Sequence, residues 1–421
     1  MSVERLDAII FGATGFTGQV VVEDAVDIFR DFKWGIAGRN ESKLKDVLVK
    51  VGKRTQTDLS HIPIIVADVN DQKSIEDMAK KCKIVLNCCG PYRFYGEVVV
   101  KACIDAGTHH VDVSGEPQYF NGMQLKYNDL AQEKGSYVIS TCAFESIPAE
   151  LGVQYAEKNF PGTVNSVELY WESKYNYQDK SSKAILHTGT WESAIYAMQH
   201  AKEMLSLEKK LNSEKMPNLS PKLWMRPYAH QTEGLKSYFA PFPLTDRAVV
   251  QRSQRLAYVY EKKRPIQFEM YIGMKSLLMA LLLPVFMLFG AIMAQIGFTR
   301  KLLLKYPHIF SGGLMTHEGP VEANRKAMEF RFTLKAKGWT TGTPESAAPN
   351  KEVVVRVTGK DPCYGITSCA LLFCAKTILK EQNKMPGKGG VLPPGFAFAK
   401  TSLLEEIGSY KSGLKFEVLN Q

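Results

Sequence analysis

The most constraining feature of this 421-residue chain is its opening, Asp7-Ala8-Ile9-Ile10-Phe11-Gly12-Ala13-Thr14-Gly15-Phe16-Thr17-Gly18. There an apolar run breaks into three glycines spaced by three, ahead of a valine-rich segment. Ala8 to Phe11 is short and apolar throughout, the pattern of a strand covered on both faces, and the residues that follow the glycines continue as a helix. Gly12 permits a sharp turn at the carboxyl end of the strand. Gly15 lets a pyrophosphate approach the backbone, Gly18 allows close packing of helix on strand, and the free N–H groups of the first helical turn attract the anion. Strand, glycine turn and helix in that order meet the context that a dinucleotide-binding fingerprint requires. Thr14, Phe16 and Thr17 lie in the same turn and are assigned to the cofactor with the three glycines. An ordinary glycine-rich turn is the bland alternative, and the downstream pattern weighs against it.

Trp34-Gly35-Ile36-Ala37-Gly38-Arg39 reads as a second strand whose end lies about twenty residues past the last glycine, where an NAD-binding chain carries Asp or Glu for the ribose hydroxyls. Here Gly38-Arg39 stands instead. Loss of the carboxylate and gain of a guanidinium favour a 2′-phosphate, hence NADP over NAD, with a solvated loop arginine as the alternative. Pro63 to Asp68 is a third strand, and Asp68 either meets the adenine amino group or caps the helix that starts near Asp71. Lys83 to Tyr92 is a fourth strand running into Cys89-Gly90-Pro91, a loop with little side chain to obstruct the flat nicotinamide ring. Cys89, Gly90 and Pro91 therefore join the cofactor set. A fifth strand, His109 to Val113, and a sixth, Tyr137 to Thr141, complete a doubly wound parallel sheet through about residue 150.

The second half follows different rules. Val164–Trp171, Ile266–Ile272, Phe330–Lys335 and Glu352–Val357 alternate apolar and polar side chains, as strands with one covered face do. The expectation is a mostly antiparallel sheet with helices. The fold class is thus α/β, a Rossmann-type doubly wound parallel sheet with a second α+β domain. Residues 1–150 form the dinucleotide domain and 151–360 the second domain. Residues 361–421 form a C-terminal segment that returns to the first domain. The polar, proline-containing segment 209–231 reads as a long loop or a mobile lid.

Ser276 to Thr299 interrupts the second domain with no charged residue and a wealth of Leu, Met and Phe. It reaches the ~20 residues needed to cross hydrocarbon. Pro284, Gly290 and basic residues at both ends point instead to a hairpin that enters and leaves on one face, and strands of one sheet on both sides require the same. A buried helix pair is the soluble alternative. The chain carries +10 overall. Of this, Gln251 to Lys305 contributes nine Lys/Arg against Glu261 and Glu269. These charges bracket an apolar run rather than alternate with aromatics, which favours an anionic lipid surface and not nucleic acid. The eight cysteines, none in a CxxC pair, read as free thiols in a reducing compartment, and no metal site is expected. No signal peptide precedes the first strand, so the protein is expected to face the cytosol. Homo-oligomerisation is left open.

Hydride chemistry needs one proton donor or acceptor beside the cofactor. Tyr92, His110 and Glu145 are the candidates at the carboxyl edge of the sheet, with Arg93, Asp112 and Ser146 beside them. Structural roles compete with each reading: His110 satisfied inside its strand, Glu145 capping the helix that opens at Pro148.

GATGFTG at 12–18, AGR at 37–39, NCCGPYRFYGE at 87–97, DVSGEPQ at 112–118 and AFESIPAELG at 143–152 together resemble the saccharopine dehydrogenase-like oxidoreductase family of animals. Gly189-Thr190-Trp191, Asp361 to Gly365 and Gly389-Gly390-Val391 extend the resemblance over nearly the whole chain. Ala143 stands where the family motif usually has glycine. The family is similar to bacterial trans-acting enoyl reductases of lipid synthesis, and some animal members are associated with lipid droplets. The resemblance therefore implies an NADP(H)-dependent oxidoreductase acting on a lipid-like substrate at a lipid droplet or at the cytosolic face of the endoplasmic reticulum. Two other readings stay open, a catalytically inactive nucleotide-binding protein of the droplet surface and true saccharopine turnover.

Overall fold

The computed structural model describes residues 5–242, 245–411 and 413–420. Strands and helices alternate through the first 158 residues. They are β1 (Leu6–Phe11), α1 (Phe16–Ile28), β2 (Trp34–Gly38), α2 (Glu41–Thr55), β3 (Ile64–Val66), α3 (Gln72–Lys80), β4 (Cys82–Asn87), α4 (Tyr92–Asp105), β5 (His109–Asp112), α5 (Pro117–Lys134), β6 (Tyr137–Ile139) and α6 (Ile147–Lys158). Ala8 to Phe11 of β1 are buried without exception, as expected for a central strand covered on both faces. Helix starts are locally encoded. The Asn40 side chain accepts the Lys43 N–H at 2.9 Å to cap α2, and Asp71 accepts from Lys73 and Ser74 to cap α3.

The rest of the chain runs β7 (Gly162–Lys174), β8 (Leu186–His187), α7 (Thr188–Gln199), α8 (Ala201–Leu211), β9 (Tyr238–Pro241), α9 (Thr245–Glu261), β10 (Gln267–Met274), α10 (Leu277–Gln295) and α11 (Gly297–Lys305). It continues with α12 (Pro307–Phe310), β11 (Met315–Thr316), α13 (Glu322–Ala327), β12 (Glu329–Thr340), β13 (Lys351–Lys360), α14 (Thr367–Glu381), β14 (Gly390–Leu392), α15 (Pro394–Ala397), α16 (Leu403–Ser409) and β15 (Lys415–Asn420). The segment 209–231 begins inside α8, so only its later part is irregular.

The first sheet has the order β14-β6-β5-β4-β1-β2-β3, parallel throughout. Strand order reverses at β1, the switch point where ligands of doubly wound sheets bind. The second sheet, β15-β13-β12-β7-β10-β9, is antiparallel except for the β7–β10 pair. One apolar core joins the two halves: α14 packs on α1 and beneath β4 and β5, with Leu371, Leu372, Cys374 and Ile378 fully enclosed.

Three features differ from the sequence reading. The C-terminal segment does not return wholly to the first sheet: β14 extends it, whereas β15 pairs with β13 in the second. The apolar insertion does not turn at Pro284 or Gly290. It runs through both as the single helix α10 and turns only at Ile296 into α11, because Ala280, Met287, Ala291 and Ala294 form one inward stripe that α7 and the cavity behind it support on both sides of the proline. Finally, the nine basic residues do not gather at one surface. Arg252 and Arg255 line a cavity, Lys263 pairs with Glu157, Arg264 with Glu345 and Lys262 with Glu214, which leaves Lys275, Arg300, Lys301 and Lys305 beside α10 and α11.

Candidate functional site

The glycine turn has the shape that an anion requires. Gly12 has φ of +80°, and a Cβ there would lie 2.9 Å from the Cys88 carbonyl carbon, so the neighbouring loop closes directly over it. A Cβ on Gly18 would sit 2.2 Å from the Gly12 carbonyl oxygen, which ties helix to strand. At Gly15 the nearest atom is the Gly12 oxygen at 3.2 Å, and the residue is exposed, leaving its outer side open for a phosphate. No side chain caps α1 and no acidic residue occupies its first turn, so the N–H groups of Phe16, Thr17 and Gly18 face an uncontested site. Thr14 accepts the Gln19 amide through its carbonyl at 3.1 Å, which holds the turn. Phe16 packs its ring against His187 at 5.6 Å and Tyr364 at 4.6 Å, so the second half of the chain clamps the turn from outside.

Arg39 follows β2 on the exposed rim, and both it and Asp68 act electrostatically on the Cys89 thiol, which places the three side chains around one corner. Asp68 does not cap α3. Asp71 does so, while Asp68 accepts the N–H and side-chain amide of Asn70 at 3.0 Å each. Asn87 accepts the Cys89 N–H at 3.0 Å and shapes the Cys89-Gly90-Pro91 loop, whose Gly90–Pro91 peptide is cis. Gly15, Phe16, Thr17, Gly90 and Glu145 line one cavity of about 1610 Å³.

The three proton-transfer candidates fare differently. Tyr92 lines the cavity, but its hydroxyl donates to the Asn87 carbonyl at 2.8 Å and lies 3.4 Å from the Val113 N–H. Burial pushes the phenol well above its ordinary range, and its proton is directed to the Asn87 carbonyl. His110 does not reach the cavity at all. It is fully enclosed within β5, with Nε2 3.4 Å from the Asn87 amide and Nδ1 3.8 Å from Asp112, too far for a hydrogen bond. Burial alone pulls it down to about 3, so it stays neutral. Strand alternation directs its side chain into the body of the sheet, a placement that the HHVD pattern does not reveal. Asp112 likewise serves structure, accepting from Ser140, Tyr119, Ser114 and Thr141.

Glu145 is the candidate that faces the cavity. Its carboxylate lies over Gly115, where a Cβ would come within 2.0 Å of Oε2, and it makes no hydrogen bond or ion pair among the described residues. It does not cap α6, whose N-cap is Ser146. Burial, with the Glu116 carboxylate second, raises Glu145 to about 7. Glu116 is occupied elsewhere: it accepts the N–H groups of Tyr92 and Arg93 at 2.9 Å each, substituting for the cap that Pro91 cannot give α4, and takes the Ser193 hydroxyl at 2.7 Å. Asp246, in the first turn of α9, completes this corner. It is buried with Oδ1 unpartnered, and desolvation, then Glu145, raise it well above the usual carboxylate range. Nothing local in the sequence marks Asp246, because the fold brings it to Glu145 from a hundred residues away.

The far wall of the cavity is formed by α9 and by the inner face of α10, where Leu283, Met287 and Ala291 recur at helical spacing. The outer face of α10 exposes Leu278, Leu281, Val285, Phe286, Phe289 and Ile292, each more than half accessible. Only 11 % of this helix is buried, against 78 % of the other long apolar segment, Pro362–Lys384, which is core. All eight cysteines are free.

Against known proteins, residues 8–139 match the model of the saccharopine dehydrogenase NADP binding domain. The saccharopine dehydrogenase-like oxidoreductase of Homo sapiens is 37% identical over 98% of this chain and 97% of its own. The lipid droplet localized protein of Caenorhabditis elegans is 33% identical over 96% of this chain and 97% of its own. The solved saccharopine dehydrogenase (L-Glu forming) of Saccharomyces cerevisiae superposes with a TM-score of 0.55 over 99% of this chain and 100% of that one at 13% identity, a likeness of fold.

Proposed function

The chain belongs to the saccharopine dehydrogenase-like oxidoreductase family and carries that family's NADP-binding domain, and from this premise we propose that it transfers a hydride between NADP(H) and a carbonyl or enoyl group of a lipid or lipid-derived substrate. The reaction takes place at a lipid-droplet surface or the cytosolic face of the endoplasmic reticulum. One observation carries the reading: a single cavity begins at the nucleotide turn and ends against the inner face of a helix whose outer face is apolar and exposed. A water-soluble substrate has no use for such a wall.

The bound cofactor supplies the hydride. Gly12, Gly15 and Gly18 with the N–H groups of α1 would hold the pyrophosphate, Arg39 would hold the 2′-phosphate, and Gly90-Pro91 would leave room for the nicotinamide. Glu145, poised near neutrality, gives or takes the proton of the substrate oxygen or carbon.

Membrane attachment follows the same geometry. β10 before α10 and β12 after it both flank β7, so the chain must leave and re-enter the protein on one side. Among the described residues no second long exposed apolar helix returns it, and α10 therefore lies in the interface instead of crossing. Lys275, Arg300, Lys301 and Lys305 then meet anionic headgroups, each worth about 1 kcal/mol near the surface. The droplet association in the worm relative's name agrees with this placement.

The test is NADPH consumption by the purified chain with and without a lipid extract, and with saccharopine. Consumption that requires the lipid supports the proposal. Retained NADPH binding with no turnover on any extract would replace it by the nucleotide-binding surface protein, and turnover of saccharopine alone would replace it by that activity.

A further inference from the structure

α9 carries three arginines along the cavity wall, and they are not equivalent. Arg247 is neutralised by a two-pronged pair with Glu269, at 2.6 and 2.9 Å. Arg252 has no such partner. Its Nε donates to the Gln124 side-chain oxygen at 2.5 Å, Nη2 donates to the Val391 carbonyl at 3.2 Å, and the guanidinium lies 5.3 Å from the Phe120 ring centre. All three neighbours are uncharged. Burial pulls Arg252 down to about 9, against the attraction of Glu150. Glu150 accepts the Ser253 hydroxyl and makes no ion pair with Arg252 among the described residues. Arg255, three residues on and hence on the same side of the helix, donates to the backbone carbonyl of Glu214, whose carboxylate is paired with Lys262.

Two guanidiniums thus line one cavity without a carboxylate in ion-pair contact among the described residues. A partly buried cation left without a counter-charge is costly, and the cost is reduced when an anion enters. The remaining cavity acids do not serve: Glu208 acts on Arg247, Glu269 is paired with it, and Glu145 and Asp246 sit at the cofactor end. The anion is not the cofactor's either. Arg252 donates to the Val391 carbonyl of β14, which lies four strand spacings, about 19 Å, from β1 and its glycine turn in the sheet order.

We propose that Arg252 and Arg255 bind the oxyanion of an acidic lipid, a carboxylate or a phosphate, whose hydrocarbon lies along Leu283, Met287 and Ala291 of α10 in the same cavity. The fork of a guanidinium matches either oxyanion, and the apolar inner face of α10 accounts for the chain. The inference deepens the proposed lipid specificity and rests on it for its biological meaning, but it is read by binding and not by turnover.

The experiment uses the full detergent-solubilised chain with NADPH and measures equilibrium binding of labelled oleate, 1-oleoyl-lysophosphatidate, 1-oleoylglycerol and inorganic phosphate. Expected is binding of one or both acidic lipids at least about tenfold tighter than the neutral glyceride, with phosphate alone far weaker. The better acidic lipid tells carboxylate from phosphate. Arg255→Gln and Arg252→Gln should each weaken the acidic lipid about tenfold to a hundredfold and leave the glyceride unchanged. Arg255 lies nearer solvent, so its variant carries the test if Arg252→Gln fails to fold, as NADPH binding reports. Equal affinity for acidic and neutral lipids, or acidic-lipid binding unchanged in Arg255→Gln, overturns the proposal. Phosphate binding as tightly as the lipids overturns the lipid part. Lipid binding of the expected pattern without NADPH oxidation would leave this site standing while the oxidoreductase reading falls.

Discussion

Replacing Glu145 by Gln should make the protein more stable at neutral pH and leave it unchanged in acid. The folded chain holds this carboxyl at about 7 against an ordinary 4.5, chiefly through burial. Because the folded value is the higher one, the unfolded chain ionises first as pH rises. The contribution of the neutral acid is therefore fully present below about 4.5, falls between 4.5 and 7, and is lost above 7. The difference between the two values corresponds to about 3 kcal/mol. Glutamine keeps the shape and has no charge to bury, so Glu145→Gln should match the wild type at pH 4 and exceed it by up to about 3 kcal/mol at pH 8. For a chain of this length that amounts to about 3–4 °C in Tm. Burial also raises Asp246, with the Glu145 carboxylate second, so the difference between the melting curves reports Glu145 together with its effect on Asp246. Thermal melts of both proteins from pH 4 to 8, without cofactor, check it. A Tm difference that does not change with pH would mean that Glu145 is an ordinary solvated carboxylate, and its assignment as the proton carrier would fall with it.

Arg39→Ala should lose about 1.5–3 kcal/mol of NADPH affinity and little for NADH, since one charged contact to the 2′-phosphate disappears; titration of both cofactors decides, and equal losses would remove the assignment. Gly15→Val should abolish nucleotide binding with the fold intact, because the new side chain points to the phosphate and the nearest protein atom is a carbonyl at 3.2 Å; retained binding would refute the turn as the pyrophosphate site. Replacing Leu278, Phe286 and Phe289 together by Asp should release the protein from membranes with NADPH binding unchanged, as their side chains are 59 to 64 % exposed and support no core. Continued flotation with lipid after that change would place the anchor elsewhere.

The sequence made the first sheet legible because each of its six leading strands is a short apolar run closed by a turn, and parallel central strands hide both faces. The seventh, β14, contributes only three residues from the far end of the chain, a pairing that no local pattern announces. In the site, the glycines were readable because backbone approach needs them at fixed spacing. Glu145 stood out as a carboxyl at a strand's carboxyl edge. Tyr92 and His110 stood out for the same reason, yet which way a side chain points, and whether a backbone carbonyl captures it, depends on partners such as Asn87 and Val113 that the sequence leaves unpaired. The charge run from Gln251 to Lys305 misled for a related reason: five of its nine cations belong to α9 and the turn after it, whose inner positions face a cavity and a sheet and not lipid. Pro284 suggested a turn because its missing N–H breaks one helical bond. A continuous inward stripe of Ala and Met across it outweighs that loss, and the stripe is visible only once its support is known.

The central claim is that hydride passes between NADPH and a lipid inside this cavity. Incubating the purified chain with NADPH deuterated at the transferred position and a cellular lipid extract, then weighing the recovered lipids by mass spectrometry, tests it directly. The account predicts a lipid product that carries one deuterium with wild-type protein and far less with Glu145→Gln. Oxidised cofactor without deuterium in any lipid, or label found only in water-soluble products, would contradict it.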